Sequence, residues 1–375
     1  MKKSFNKIFF TLFMLLWAGL IVINLITPTK LFSQSENKVL AQFPGFDMTK
    51  FIEGEFMEEI DLFINDQFIG RNQWIKLSTI VETALNKQDI NSVYLGKEGY
   101  LIERHRDSDV NQELAEKNIQ TLIDFMTKTQ GVLGVEHVKA MLVPSASQIL
   151  TDKLPNFASG YDQLEVINRL DQALPHSMIR VDSVLKAHAS ETIYYHTDHH
   201  WTSLGAYYGY QHWANDLGFD ELDFDVKTLS ETFLGTLHSK INLAFKADTL
   251  EQYIPQNATT YDVLINQTNE MSGLYDYDKL ETKDQYGVFF GGNYGQIEIT
   301  PSQGGSGNLL VIKDSFANAM VPMIVNHYEK TFMLDLRHYN GSVESFMAEN
   351  DITDVLVLYN TMGFVKDITI GKLSR

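Results

Sequence analysis

The chain has 375 residues, 44% of them hydrophobic and 21% charged, enough to bury a sizeable core in one large domain or two smaller ones and too apolar for a disordered chain. It contains no cysteine, which excludes disulfides, thiolate nucleophiles, Cys-ligated zinc and iron–sulfur clusters, so any covalent chemistry must use oxygen or nitrogen. A formal charge of −18 with no basic cluster in the body speaks against nucleic acid as a partner and for a neutral or weakly charged substrate.

The first element is the uncharged run from Ile8 to Ile26. At about 1.5 Å per residue it can span a hydrocarbon core of roughly 30 Å. Lys2, Lys3 and Lys7 precede it, so the positive-inside bias keeps this end in the cytoplasm and puts everything after Pro28 outside. A cleaved signal peptide is the competing reading, but no small-residue cleavage site follows Ile26 directly. The expectation is a single-pass protein of the cell membrane with an extracellular body, residues 1–27 forming a cytoplasmic tip and anchor.

Residues 28–91 read as a linker and a helical lead-in, with Phe51, Phe56, Ile60 and Phe63, then Trp74, Leu77 and Ile80, at helical spacings. Residues 92–375 form the main domain. Its first part reads as two short strands around a glycine turn over 92–101, and a helix over 111–129 follows. A strand over 138–143 stops at Pro144, and a helix covers 164–174. Tyr194 and Tyr195 read as strand, and 203–217 as an aromatic-rich helix. Apolar strands follow over 309–312, 331–336 and 355–359, the first two separated by a helix over 316–328. Helices between buried apolar strands predict an α/β fold, a parallel sheet covered on both faces. Residues 246–302 are polar and rich in Asn, Thr, Tyr and Gly, and read as a loop or small-strand insertion.

The densest polar cluster is Tyr194-Tyr195-His196-Thr197-Asp198-His199-His200-Trp201-Thr202. Asp198 and His200 suit a catalytic base and its orienter, because a carboxylate can hold an imidazole in the tautomer that accepts a hydroxyl proton; in an extended segment the two would share a face. A metal site made by His196, Asp198 and His200 fits the same spacing, and so does a polar loop whose histidines bond only locally. The second cluster is Lys313-Asp314-Ser315-Phe316-Ala317-Asn318, a strand running into a helix. A serine there is displayed as a nucleophile is, or merely caps the helix. The third is Gly291-Gly292-Asn293, where the Asn293 amide could donate to an oxyanion although a turn is the commoner meaning. Val143-Pro144-Ser145 and Asp335-Leu336-Arg337 are strand ends that could border the site, with Arg337 holding an acidic or polar substrate group.

Together, Thr197-Asp198-His199-His200-Trp201-Thr202, Gly291-Gly292-Asn293, Lys313 to Asn318 and Arg337 resemble the DHHW family of Gram-positive bacteria. The layout is also similar to the SGNH-hydrolase-like domains of the alginate O-acetyltransferases AlgJ and AlgX. Segments around Glu36-Asn37-Lys38, Asp66-Gln67-Phe68 with Arg71, and Val93 to Tyr100 extend the likeness from the anchor to about Asn360. The resemblance implies a three-layer α/β/α, flavodoxin-like SGNH fold. Its D-x-H-W motif falls on Asp198, His200 and Trp201, and its nucleophile on Ser315. The implied activity is O-acetyl transfer to a cell-surface or secreted polysaccharide through an acetyl-serine, or acetylester hydrolysis when water is the acceptor. The N–H groups of Ser315 and Phe316 are the natural oxyanion donors in that mechanism, with Trp201, Asn293 and Arg337 beside them. No cofactor or metal is implied. A polytopic membrane-bound O-acyltransferase that passes acetyl across the membrane is the implied partner. A non-catalytic glycan-binding or assembly protein and a metal-dependent hydrolase are the alternatives.

Overall fold

The structure is a computed structural model that describes residues 2–33, 38–243, 245–257 and 259–374, the first four of them by backbone alone. Glu36 and Asn37, which carry part of the resemblance, lie outside the described residues. By internal contacts the chain divides into two units, Met1–Lys87 with Ser239–Ala244, and Gln88–His238 with Phe245–Arg375.

In the first unit, Lys2–Ile26 is one helix, and its Asn6–Ile26 stretch, mean hydropathy 2.4, is long and apolar enough to cross a membrane. Three helices follow, Met48–Glu53, Glu55–Gln67 and Arg71–Ala84. Asp47 caps the first by accepting from the N–H groups of Thr49 and Lys50. Asp66 is buried, and its carboxylate holds Lys38 Nζ at 2.8 Å and the Ala41 N–H at 2.9 Å.

The second unit is built on a seven-stranded sheet: β1 (Val138–Val143), β2 (Tyr261–Ile265), β3 (Asn269–Ser272), β4 (Gln296–Pro301), β5 (Asn308–Lys313), β6 (Lys330–Leu334) and β7 (Asp354–Asn360). Its spatial order is β3-β2-β4-β6-β5-β7-β1. Strands β6, β5, β7 and β1 run parallel, whereas β4, β2 and β3 join antiparallel. The sheet is therefore mixed, which corrects the all-parallel expectation. The reason lies in residues 246–302, which are not an insertion beside the sheet but supply three of its strands. Asp248–Pro255 in the same stretch pairs antiparallel with Phe224–Phe233 as a separate two-stranded sheet.

Strand residues alternate between two cores. Met141, Val143, Val311 and Leu358 point to one, which Ser203–Leu217 covers with Ala206, Tyr210 and Trp213. Ala140, Leu142, Ile312 and Val357 point to the other, covered by Gln112–Leu133 and Gln163–Ala173 through Ile119, Leu122, Met126, Ile167 and Leu170. Helices thus pack on both faces. The single helix expected over 316–328 is broken into a 3₁₀ turn Ser315–Ala319, a short helix Val321–Ile324 and a second turn Val325–His327. Pro322 accounts for the break, because it has no N–H to continue a helix begun at Ser315. Tyr194 and Tyr195 form no strand; Tyr194 makes one isolated antiparallel bridge to Trp201.

Candidate active site

Four parallel strands end on the same side of the sheet. Ser145 stands two residues beyond β1, Ser315 two beyond β5, Asp335 one beyond β6, and Asn360 closes β7. Open α/β sheets place their ligands at such carboxyl ends. The histidine loop reaches this edge as a closed excursion. The Thr202 N–H donates to Ile193 O at 2.9 Å, and the Tyr195 N–H to His200 O at 3.3 Å. Asp248 pins the start of the loop, accepting from the N–H groups of His196 and Thr197, each at 2.8 Å, and from the Thr197 hydroxyl at 2.6 Å.

Asp198 and His200 meet through a tight turn, not through the shared face of an extended strand. Asp198 Oδ1 accepts from the His200 backbone N–H at 3.1 Å and lies 2.6 Å from His200 Nδ1. Its Oδ2 accepts from the N–H and the hydroxyl of Thr236, at 2.7 and 2.9 Å. Gly235 lets the segment that carries Thr236 approach, since a Cβ there would lie 2.3 Å from Asp198 Cβ. With Nδ1 carrying the proton toward Asp198, Nε2 is left as an acceptor, and it stands 2.7 Å from Ser315 Oγ. Asp198 and His200 are 2% and 4% exposed, so the pair works out of water.

Burial and electrostatics set the charge states. Burial opposes the carboxylate of Asp198, yet His199, His200 and the Thr236 N–H outweigh it and hold its pKa far below the usual range. Burial first, then the nearby His199, lowers His200 to about 4 against the pull of Asp198, so the ring is neutral at neutral pH.

The serine turn is held by groups the sequence reading had not assigned. Asp314 accepts from the Phe316 N–H and the Asn360 N–H, each at 2.9 Å, and burial raises its pKa to about 6. Lys313 is fully buried, its Nζ donating to Asn293 Oδ1 and Asn318 Oδ1, both at 2.7 Å; burial lowers it to about 8. The Tyr286 ring lies flat on His200, with centroids 3.8 Å apart and planes 9° apart, and its hydroxyl donates to Ser315 O at 3.1 Å.

Several expected roles change. The Phe316 N–H is taken by Asp314 and is not an open oxyanion donor. Trp201 is fully buried and donates its indole N–H to Phe316 O at 2.9 Å, so it braces the turn and does not face a substrate. Arg337 is held by Asp335 through two contacts of 2.8 and 2.5 Å. Asn293 joins the site by its Oδ1, which also accepts from Asn318 Nδ2 at 3.2 Å, and its own Nδ2 has no partner among the described residues. His196 leaves the cluster altogether, stacked on Tyr100 at 3.9 Å and bonded to Asp248. The metal set His196, Asp198 and His200 is therefore not brought together. Asp198, His199 and His200 do lie with ligand atoms within 4.8 Å of one another, but both Asp198 oxygens already accept hydrogen bonds, which leaves the carboxylate poorly placed as a ligand.

The family described as DHHW protein matches residues 117–334, more than half of the chain. The chain belongs to the DHHW family. Among solved structures, a DHHW family protein from Eubacterium siraeum is 23% identical, with a TM-score of 0.62 over 76% of this chain and 96% of its own. PatB1 of Bacillus cereus, solved with a sulfonyl adduct, is 23% identical, with a TM-score of 0.61 over 75% and 97%. These likenesses show a shared fold. The O-acetyltransferase domain of Pseudomonas putida AlgJ is 14% identical over 76% and 99%, and its TM-score of 0.45 is too low to argue from. Among curated proteins, nothing matches.

In this DHHW domain the missed residues differ in how visible they were. Lys313 sits at the end of an otherwise apolar strand, where a charge must be buried and partnered, so its place in the sequence was a signal. Thr236, Asp248 and Tyr286 carry no local pattern and reach the site only through non-local folding.

Proposed function

We propose that the chain is an extracytoplasmic, membrane-anchored O-acetyltransferase of a cell-surface or secreted polysaccharide, working through an acetyl-serine. The observation that carries this reading is the Asp198–His200–Ser315 line, with contacts of 2.6 and 2.7 Å. His200 Nε2 takes the Ser315 proton as Oγ bonds to the acyl carbonyl carbon. Asp198 keeps the proton on Nδ1 and offsets the imidazolium charge. The tetrahedral intermediate collapses as the bond to the donor's leaving group breaks, and that group takes the proton back from His200. In the second half a sugar hydroxyl gives its proton to His200 and attacks the acetyl carbon, and Ser315 Oγ leaves with that proton. Water in place of the sugar makes the same site an acetylesterase. The uncommitted Nδ2 of Asn293 and the Ser315 backbone N–H are the oxyanion donors in this scheme. PatB1 forms a sulfonyl adduct, chemistry that requires a nucleophile in that protein. The helix Asn6–Ile26 supports the anchor. A body outside the cell has no cytosolic acetyl donor, which supports a membrane-bound O-acyltransferase as supplier.

Intact-mass spectrometry after exposure to an activated acetyl ester tests the reading. A single acetyl adduct, absent in Ser315→Ala and His200→Ala, is expected. Identical background in all three proteins would remove acyl transfer.

A further inference from the structure

On the antiparallel side of the sheet a cleft of about 200 Å³ opens between Asp248–Pro255, β2 and the loop after β3. Tyr253, Tyr261, Tyr275 and Tyr277 supply its rings, Gln252 and Ser272 are among its polar groups, and none of the described residues lining it is charged. Tyr275 and Tyr277 stack with centroids 6.4 Å apart and planes 23° apart, yet Tyr277 stays 49% exposed. A ring ordered by a neighbour and left facing water is a platform more than a piece of core.

Gln252 is the second observation. It is only 6% exposed, and its Oε1 accepts from the Tyr277 hydroxyl at 3.0 Å. Gln252 also lines the cleft, and its Nε2 has no hydrogen-bond partner among the described residues. An amide in the cleft wall with donors to spare can give a hydrogen bond to a hydroxyl oxygen.

We propose that this cleft binds one ring of a neutral glycan. A pyranose offers what the cleft lacks, apolar C–H faces for the tyrosine rings and hydroxyl oxygens for the Gln252 amide, without a charge to desolvate. The size agrees, since pockets that enclose drug-sized ligands measure roughly 300–1,000 Å³ and this one is smaller. Ring contacts connect it to the reaction site: Tyr275 meets Phe289 at 5.8 Å, Phe289 meets Tyr286 at 5.2 Å, and Tyr286 lies on His200. On this proposal the cleft holds one unit of a polymer while another unit is at Ser315. This deepens the polysaccharide reading above and rests on it only for the link to acetyl transfer.

The test is calorimetric titration of the full chain, in a detergent that carries no sugar, with cellohexaose, maltohexaose, xylohexaose and chitohexaose. Saturable binding of at least one is expected, weakened about tenfold or more by Tyr277→Ala, which corresponds to roughly 1.4 kcal/mol. Tyr277→Phe, which keeps the ring, should retain most of it, and Ser315→Ala should leave it unchanged. Absence of binding to all four, or binding that Tyr277→Ala does not weaken, overturns the proposal. Binding intact in a protein that forms no acetyl adduct would sink the acyl-transfer reading and leave the cleft standing.

Discussion

The two halves of the central sheet are built on different rules. The parallel half, β6-β5-β7-β1, consists of nearly continuous buried runs, and its carboxyl ends bring Ser315, Asp335 and Asn360 to one edge. The antiparallel half, β4-β2-β3, grades from mostly buried in β4 to mostly exposed in β3, and the tyrosine cleft lies on that side. A buried parallel strand spends its side chains on packing and leaves chemistry to its end, while a half-exposed strand can carry a binding surface along its length. If the proposed acyl transfer at Ser315 and the proposed glycan cleft both hold, the two are separable by mutation.

The sharpest cut through that comparison is Ser315→Ala, or Asp198→Asn, which leaves His200 in the wrong tautomer. Each should lower acetyl transfer by about 10⁴-fold while hexasaccharide affinity stays as in the parent. A residual rate within tenfold of the parent would break the assignment. Lys313→Met comes next. Without Nζ, Asn293 and Asn318 lose the group that orients their amides, and kcat should fall on the order of 10²-fold with KM little changed. A rise in KM alone would mean that Lys313 serves binding and not the reaction.

The pH profile sharpens the electrostatic side. A base of ordinary pKa near 6.5 would be about nine-tenths protonated at pH 5.5, whereas His200, lowered to about 4, is still neutral there. The rate at pH 5.5 should stay near its plateau and fall only as the pH drops through about 4. The same lowered pKa contributes stability that is fully present above about 6.5 and is lost as pH falls through about 4. An acid limb centred near 6.5 would show that Asp198 wins over burial. The smallest effect is expected from Trp201→Phe, which removes the indole hydrogen bond to the buried Phe316 carbonyl at a cost of about 0.5–1.5 kcal/mol in urea unfolding. Activity should change less than stability.

The same contrast decides what could be read from the sequence. Strand β5 and strand β7 were visible because parallel strands are apolar blocks of the right length. The cluster at Asp198 and His200 was visible because histidines crowd there, and Ser315 because it follows a strand. Strands β2, β3 and β4 were not, since alternating polar residues in a Tyr- and Asn-rich stretch resemble a loop until a partner strand is known. Trp201 misled in another way. An aromatic beside a catalytic pair looks like a substrate contact, and only the donor–acceptor geometry shows that its N–H is spent on Phe316. Asp248 and Thr236 answer to no local signal, because each acts on a loop about 40 to 50 residues away.

Strand β7 has a consequence for biosynthesis. It lies between β5 and β1 in the sheet, and its last residue, Asn360, donates the N–H that holds Asp314 beside the serine. A nascent chain shorter than about 360 residues therefore leaves β1 without the strand that joins it to β5. Such a chain carries Ser315 without the strand that seats its turn, so fragments released early from the ribosome should show no acyl transfer.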